Sequence, residues 1–225
     1  MTLKSVSRFL IDLVYPNRCG FCQRVIPWNK LICPECEEKL EYSPNPIRQG
    51  EKGSFAFCIS PCKYSGVARR GVLNLKYHYG KNTAEYLIPC LSELIKTHIP
   101  EDIDLITFVP MTYWRKSEYG YNQAEVIADM LSKELDIPCD GKLLAKIKKM
   151  DTQHSLTSEE RKRNAKSAYK PGTSKRDICG KTVLLADDII TTGATLSSCS
   201  RLLLERGAER VYCATLTHTE INRKE

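Results

Sequence analysis

Hydrophobic and polar positions change rhythm several times along the chain, and the changes lay out alternating strands and helices. Val6, Phe9, Leu10, Leu13 and Val14 recur at helical spacing, so residues 1–15 are expected as an amphipathic helix packed on the body. A membrane-surface helix is the other reading of that stripe. Arg8 and Asp12 interrupt it and no small-residue cleavage site follows, which argues against a signal peptide. Residues 43–54 carry Pro44, Pro46, Gly50 and Gly53 with little apolar content, the composition of a linker. Beyond it, residues 55–64 read as strand, and residues 67–79 as a basic helix bearing Arg69, Arg70 and Lys76. Residues 82–97 are helical by pattern, with a kink or irregular turn expected at Pro89.

The second half repeats the alternation. Residues 104–109 form an apolar run of buried-strand type. Asn122 then caps a helix whose apolar face is Ala124, Ile127, Ala128, Leu131 and Leu135. Thr157 and Glu160 have capping-box spacing for a helix carrying Arg161 to Lys166. Residues 183–186 are a strand, residues 196–205 a helix stopped by Gly207, and residues 211–216 the last strand. Strands alternating with helices imply an α/β fold with a mostly parallel sheet flanked by helices. At 225 residues the chain holds one medium α/β domain, over residues 55–220, and a small lobe over residues 1–45. No apolar run is long enough to cross a membrane, so insertion is not expected.

Cysteine usage changes the picture of the small lobe. Eleven cysteines are many, and without a secretion signal metal ligation is a better reading than a disulfide framework. A cytoplasmic location is expected on the same grounds. Cys19, Cys22, Cys33 and Cys36 form C-x2-C-x10-C-x2-C, in which two knuckles direct four thiolates to one tetrahedral zinc. A redox pair is the alternative. Four protein ligands leave no open position, so the zinc is structural. Cys58, Cys62, Cys90, Cys139, Cys179, Cys199 and Cys213 read as buried apolar residues, and the scattered histidines form no ligand set. Net charge is +7, with basic residues crowding residues 146–176, which suits a polyanionic small molecule or a nucleic acid.

The chemistry concentrates in Val183 to Thr195, where a strand-type run ends in Asp187-Asp188 and passes through Thr191-Thr192-Gly193-Ala194-Thr195 into a helix. In an open α/β sheet the carboxyl ends of the strands are where ligands bind. Backbone N–H groups and hydroxyls at a helix N-terminus suit a phosphate. Two carboxylates beside that cradle make sense when the ligand also presents neutral donors, as a ribose diol does. The segment therefore reads as a ribose-5-phosphate site. It has neither the Gly-Lys-Ser/Thr of a P-loop nor a dinucleotide fingerprint.

At these residues the chain resembles type I phosphoribosyltransferases, which bind 5-phosphoribosyl-1-pyrophosphate (PRPP). Val109-Pro110, Gly120-Tyr121-Asn122-Gln123, Thr152-Gln153 with Leu156, Arg161, Arg163 and Asn164, and the cysteine quartet narrow the resemblance to the ComF family. The resemblance implies a type I phosphoribosyltransferase fold, structural zinc, and Mg²⁺ bound together with PRPP. It makes Asp187 and Asp188 the catalytic carboxylates and Thr191 to Thr195 the 5-phosphate cradle. Pyrophosphate falls to Arg115, Lys116 and Lys76. Arg161 and Arg163 are assigned to a lid or a nucleic-acid face. ComF-like chains usually read Arg-Gly-aromatic-Asn-Gln, and this one carries Tyr119 before Gly120. Purine-salvage members have an aspartate where Thr191 stands. Three readings share the site: a phosphoribosyltransferase, a DNA-uptake module that binds single-stranded DNA and competence proteins, and a PRPP sensor without turnover.

Overall fold

The fold is described from a computed structural model, over residues 16–50, 53–77, 80–147 and 168–219. The expected N-terminal helix and the stretch from Thr157 to Lys166, with Arg161 and Arg163, lie outside the described residues. In chain order the elements are α1 (Pro34–Glu38), β1 (Ile47–Gln49), β2 (Phe57–Ile59), β3 (Cys62–Lys63), α2 (Gly66–Tyr77), α3 (Asn82–His98), β4 (Leu105–Phe108) and α4 (Tyr113–Tyr119). There follow α5 (Gln123–Leu135), β5 (Leu144–Lys146), β6 (Tyr169–Pro171), β7 (Thr182–Ile190), α6 (Ala194–Glu205) and β8 (Arg210–His218).

The main sheet runs β1-β2-β8-β7-β4, with β3 also pairing β8. β2, β3 and β7 lie parallel to β8, β4 lies parallel to β7, and β1 alone of this sheet's described strands pairs antiparallel. The mostly parallel expectation is met. Parallel strands joined by crossover helices are covered on both faces, which is why β7 and β8 read as nearly continuous apolar runs. Leu184, Leu185, Ala186, Cys213, Ala214 and Leu216 are all fully buried.

Several expectations change. The strand expected to stop at Ala186 continues through both aspartates to Ile190, because β8 pairs with it as far as Ile190↔His218. The linker contains β1, held by its pairing with β2. Between β4 and the helix capped by Asn122, residues 111–121 contain α4, whose first turn is capped by the Thr112 hydroxyl accepting from the Arg115 N–H. α3 continues through Pro89 without a break. Asn122 does cap α5, its side chain accepting from the Ala124 N–H. Among the cysteines outside the quartet, Cys179 is exposed rather than buried, because it sits in a turn whose N–H is taken by Asp177.

The small lobe is docked on the α/β body, against α2 and α3. Thr83 Oγ1 donates to the Gly20 carbonyl at 2.7 Å, and Asn82 Nδ2 donates to the Arg18 carbonyl at 2.8 Å. Phe21 is fully buried and meets Tyr86 edge to face, with ring centroids 5.7 Å apart. The approach is close enough to require glycine: a Cβ on Gly20 would stand 2.5 Å from the Thr83 nitrogen. Gly20→Ala is therefore expected to destabilise the protein by about 1–3 kcal/mol, the usual cost of overpacking a filled contact. A denaturation midpoint equal to that of the parent chain would show that the lobe is not seated in this way.

Candidate functional site

In-register pairing brings two strand ends together. Phe108 of β4 stands opposite Ala186 of β7, so the residues that follow each strand emerge side by side. They open into a pocket of about 380 Å³, lined by Val109, Pro110 and Met111 after β4 and by Asp187, Asp188 and Thr191 around the end of β7. Asn122 joins the parts. Its amide donates to the Val109 carbonyl at 3.0 Å while its carbonyl oxygen caps α5. The first turn of α5 contributes Gln123 and Ala124 to the same wall.

The loop after β7 turns the chain from strand into helix. Gly193 takes φ +87°, a left-handed conformation that suits glycine, and its carbonyl accepts the Ser197 N–H to start α6. Thr191, Thr192, Ala194 and Thr195 are exposed around it. The Thr192 hydroxyl accepts from the Ala194 N–H at 3.4 Å, while Thr191 and Thr195 face the pocket. Arg48, carried on β1, donates to the Thr191 carbonyl from the far side of the loop.

Opposite the loop stands a charge cluster. Lys76 Nζ lies 2.8 Å from Asp188 Oδ2, and Asp188 is buried. Asp187 is only partly covered, and one of its carboxylate oxygens accepts the Asp188 N–H at 2.9 Å. Burial, and then the neighbouring Asp188 charge, hold the Asp187 carboxyl well above the ordinary carboxylate value. Burial pulls the Lys76 ammonium down, but Asp188 outweighs it and the net shift is upward. Across the opening, Lys146 Nζ sits 5.2 Å above the Tyr169 ring, so the antiparallel pair β5–β6 forms one rim. Burial, and then the Arg115 charge, lower Lys146, while burial pushes the Tyr169 phenol up to about 12.

Four thiolates gather in the small lobe. The Sγ atoms of Cys19, Cys22, Cys33 and Cys36 all lie within 4.8 Å of one another, and Cys22 and Cys33 are 3.7 Å apart. Zn–S bonds of about 2.3 Å in a tetrahedron place sulfurs about 3.8 Å apart, so the quartet fits zinc. The Cys33 N–H donates to Cys19 Sγ at 3.3 Å, the outer-shell support that thiolate ligands receive. Burial opposes ionisation of Cys19, but that bond and neighbouring backbone N–H groups prevail and lower it to about 7. Among the described residues, the quartet is the one group of three or more His, Cys, Asp or Glu side chains able to hold a metal.

With this geometry in view, comparison with known proteins gives a consistent result. The model of the phosphoribosyl transferase domain matches residues 93–225, more than half of the chain. The chain belongs to the phosphoribosyl transferase domain family. The double zinc ribbon domain matches residues 10–47, so the structural-zinc reading of the quartet is supported by both sequence and geometry. Competence protein F of Haemophilus influenzae is 29% identical over 86% of this chain and 81% of its own length. DNA utilization protein YhgH of Escherichia coli is 26% identical over 89% of this chain and 90% of its own. The likeness to ComF-type proteins therefore extends over most of the chain. A purine phosphoribosyltransferase from Pyrococcus horikoshii aligns over 62% of this chain and 78% of its own, with 18% identity and a TM-score of 0.40.

Within this phosphoribosyl transferase domain the residues singled out in the sequence are not all in one place. Lys76, Arg115, Asp187, Asp188, Thr191 and Thr195 share the pocket. Lys116 does not line it; its ammonium is paired with Glu125 at 2.7 Å, because the Thr112 cap turns this stretch into helix and aims Lys116 at α5. Arg48, Lys146 and Tyr169 were not singled out as site residues. No spacing marks Arg48 or Tyr169, and Lys146 was one charge among the many of the basic stretch. Lys146 and Tyr169, the one before and the other after residues 148–167, which lie outside the described residues, both line the pocket.

The raised Asp187 carboxyl has a consequence for stability. A carboxyl held above its ordinary value binds its proton more tightly in the folded state. Stability therefore falls as pH rises from the unfolded carboxyl range through the raised value. Asp187→Asn removes this titration. In ligand-free protein the variant is expected to be more stable than the parent at neutral pH, with the gain fading as pH drops below the unfolded carboxyl range. Denaturation midpoints at the two pH values measure this, and equal stability at neutral pH would rule it out.

Proposed function

We propose that this chain binds PRPP with Mg²⁺ in the pocket at the ends of β4 and β7, and acts as a phosphoribosyltransferase-like protein in DNA uptake. One observation carries the reading: a carboxylate pair and a glycine–threonine loop at the start of α6 open into the same pocket. The 5-phosphate occupies the loop from Thr191 to Thr195, where outward N–H groups and the helix dipole favour an anion. Asp187 and Asp188 accept hydrogen bonds from the ribose hydroxyls. The pyrophosphate lies toward Lys76 and Arg115, with Lys146 and Tyr169 across the opening. Mg²⁺ bound together with PRPP would help to offset the pyrophosphate charge on the side where Lys76 and Arg115 stand. The part in DNA uptake is supported by the names of the two relatives, a competence protein and a DNA utilization protein, which match nearly end to end.

Calorimetric titration with PRPP, with and without Mg²⁺, tests the ligand. Asp187→Asn combined with Asp188→Asn is expected to abolish binding while the protein stays folded; unchanged affinity would remove the ribose from this position. Pyrophosphate release in the presence of a panel of nucleobases then separates turnover from binding alone.

One observation favours a second partner. Tyr113 and Trp114, in the first turn of α4, are 87% and 78% exposed, beside an Arg115 that lines the pocket. Exposed aromatic faces next to cations are what single-stranded nucleic acid stacks upon. Single-stranded DNA is expected to quench Trp114 fluorescence, with affinity falling steeply as salt rises and the quench lost in Trp114→Phe. Quenching that persists in that variant would place the contact elsewhere.

A further inference from the structure

Helix α2 has the cysteine lobe on one side and the carboxylate pocket on the other. Asn74 and Lys76 stand two positions apart, about 200° around the helix, and so face opposite ways. On the lobe side, Asn74 Nδ2 donates to the carbonyls of Gly20 at 2.9 Å and Phe21 at 3.0 Å. Those two residues are the turn between Cys19 and Cys22. One helical turn earlier, Gly71 lies so close beneath the same knuckle that a Cβ there would stand 2.6 Å from Phe21 Cδ1. On the pocket side, Lys76 reaches Asp188 at 2.8 Å. Carbonyls of the last described turn are engaged as well: Tyr121 donates to that of Leu75, and Gln123 Nε2 lies 3.5 Å from that of Lys76.

We infer that the zinc knuckle is a positioning element of the pocket, and that Asn74 is the positioning residue that transmits its place to Lys76. A knuckle closed on one ion by four thiolates is rigid, whereas the final turn of a helix frays unless its groups are held. Asn74 joins the two through a pair of hydrogen bonds, a Cβ-free contact backs them at Gly71, and the ammonium two residues on is thereby aimed at the carboxylates. Zinc then acts on the pocket without touching any ligand in it. The inference rests on the PRPP reading for what the pocket binds, but the coupling itself is between this chain's own side chains.

The coupling has an electrostatic readout. The carboxylate pair is faced by Lys76 from α2, Lys146 from β5, Tyr169 from β6, and the thiols of Cys58, Cys199 and Cys213 from β2, α6 and β8. Burial keeps the phenol and the thiols neutral through the physiological range, with Tyr169 and Cys58 both pushed up to about 12. Lys146 stacks on Tyr169, and Lys76 is the cation in contact with Asp188. Withdrawing Lys76 leaves two like charges facing each other, which favours a proton on one of them. Acid loss of ligand binding then begins at higher pH.

Asn74→Ala and Lys76→Ala, singly and together, provide the test. PRPP affinity with Mg²⁺ is measured across the neutral range, carboxyl ¹³C shifts of Asp187 and Asp188 are titrated in ligand-free protein, and zinc content is determined by metal analysis. Asn74→Ala is expected to keep its zinc, weaken PRPP by about 3–10-fold, and raise the carboxyl titration in the direction that Lys76→Ala does. In the Lys76→Ala background it is expected to add nothing, which a general loss of stability would not reproduce. A zinc-loaded Asn74→Ala protein with the parental carboxyl titration, or one whose PRPP deficit persists in full without Lys76, overturns the inference. Should the alanine variant not fold, Asn74→Gln carries the same expectations at smaller amplitude, because its amide is displaced by one methylene. The carboxyl arm needs no ligand, so a parent chain that ignores PRPP overturns the ligand reading, and the ¹³C shifts still decide the coupling.

Discussion

Placing Asp187 and Asp188 next to each other at the end of β7 sets charge against charge where water is scarce, and much of the surrounding structure answers that repulsion. Lys76 neutralises the buried one at 2.8 Å, and a backbone N–H serves the other. Burial, and then the neighbouring Asp188 charge, still hold the Asp187 carboxyl above the ordinary carboxylate value.

Supplying Lys76 from α2 ties the pocket to the small lobe. The same helix presents Asn74 and Gly71 to the turn between the first two cysteines, and α3 holds that turn through Thr83 and the Arg18 carbonyl before it through Asn82. A lobe of this size has little core of its own, yet Phe21, Ile26 and Ile32 are buried in one continuous cluster with the α/β body. The zinc quartet and the phosphoribosyl transferase domain therefore form one packed structure.

How much was legible in the sequence depended on the reach of each signal. The cysteine quartet, the Asn122 cap and the Asp187-to-Thr195 segment are short motifs whose meaning lies in spacing, and the structure keeps each of them together. Boundaries were less legible. The run ending at Ala186 looked complete because the charged residues after it break the apolar pattern, but strand pairing does not require apolar side chains and β8 extends it to Ile190. β1 was hidden among prolines and glycines for a related reason, since a short edge strand is held by its neighbour and not by its own composition.

Local chemistry thus settled which kinds of groups this protein carries: four thiolates at knuckle spacing, a carboxylate pair, and a threonine–glycine loop at a helix start. Tertiary structure settled which of its many cations those groups meet. Lys116 was drawn to Glu125, while Arg48, Lys146 and Tyr169 arrived at the site from strands far away in the chain. The physical reason is that a motif's geometry is set by bonds and torsions within a few residues, whereas a cation's partner is set by sheet register and helix packing. Neither of those leaves a periodic mark at the residue concerned.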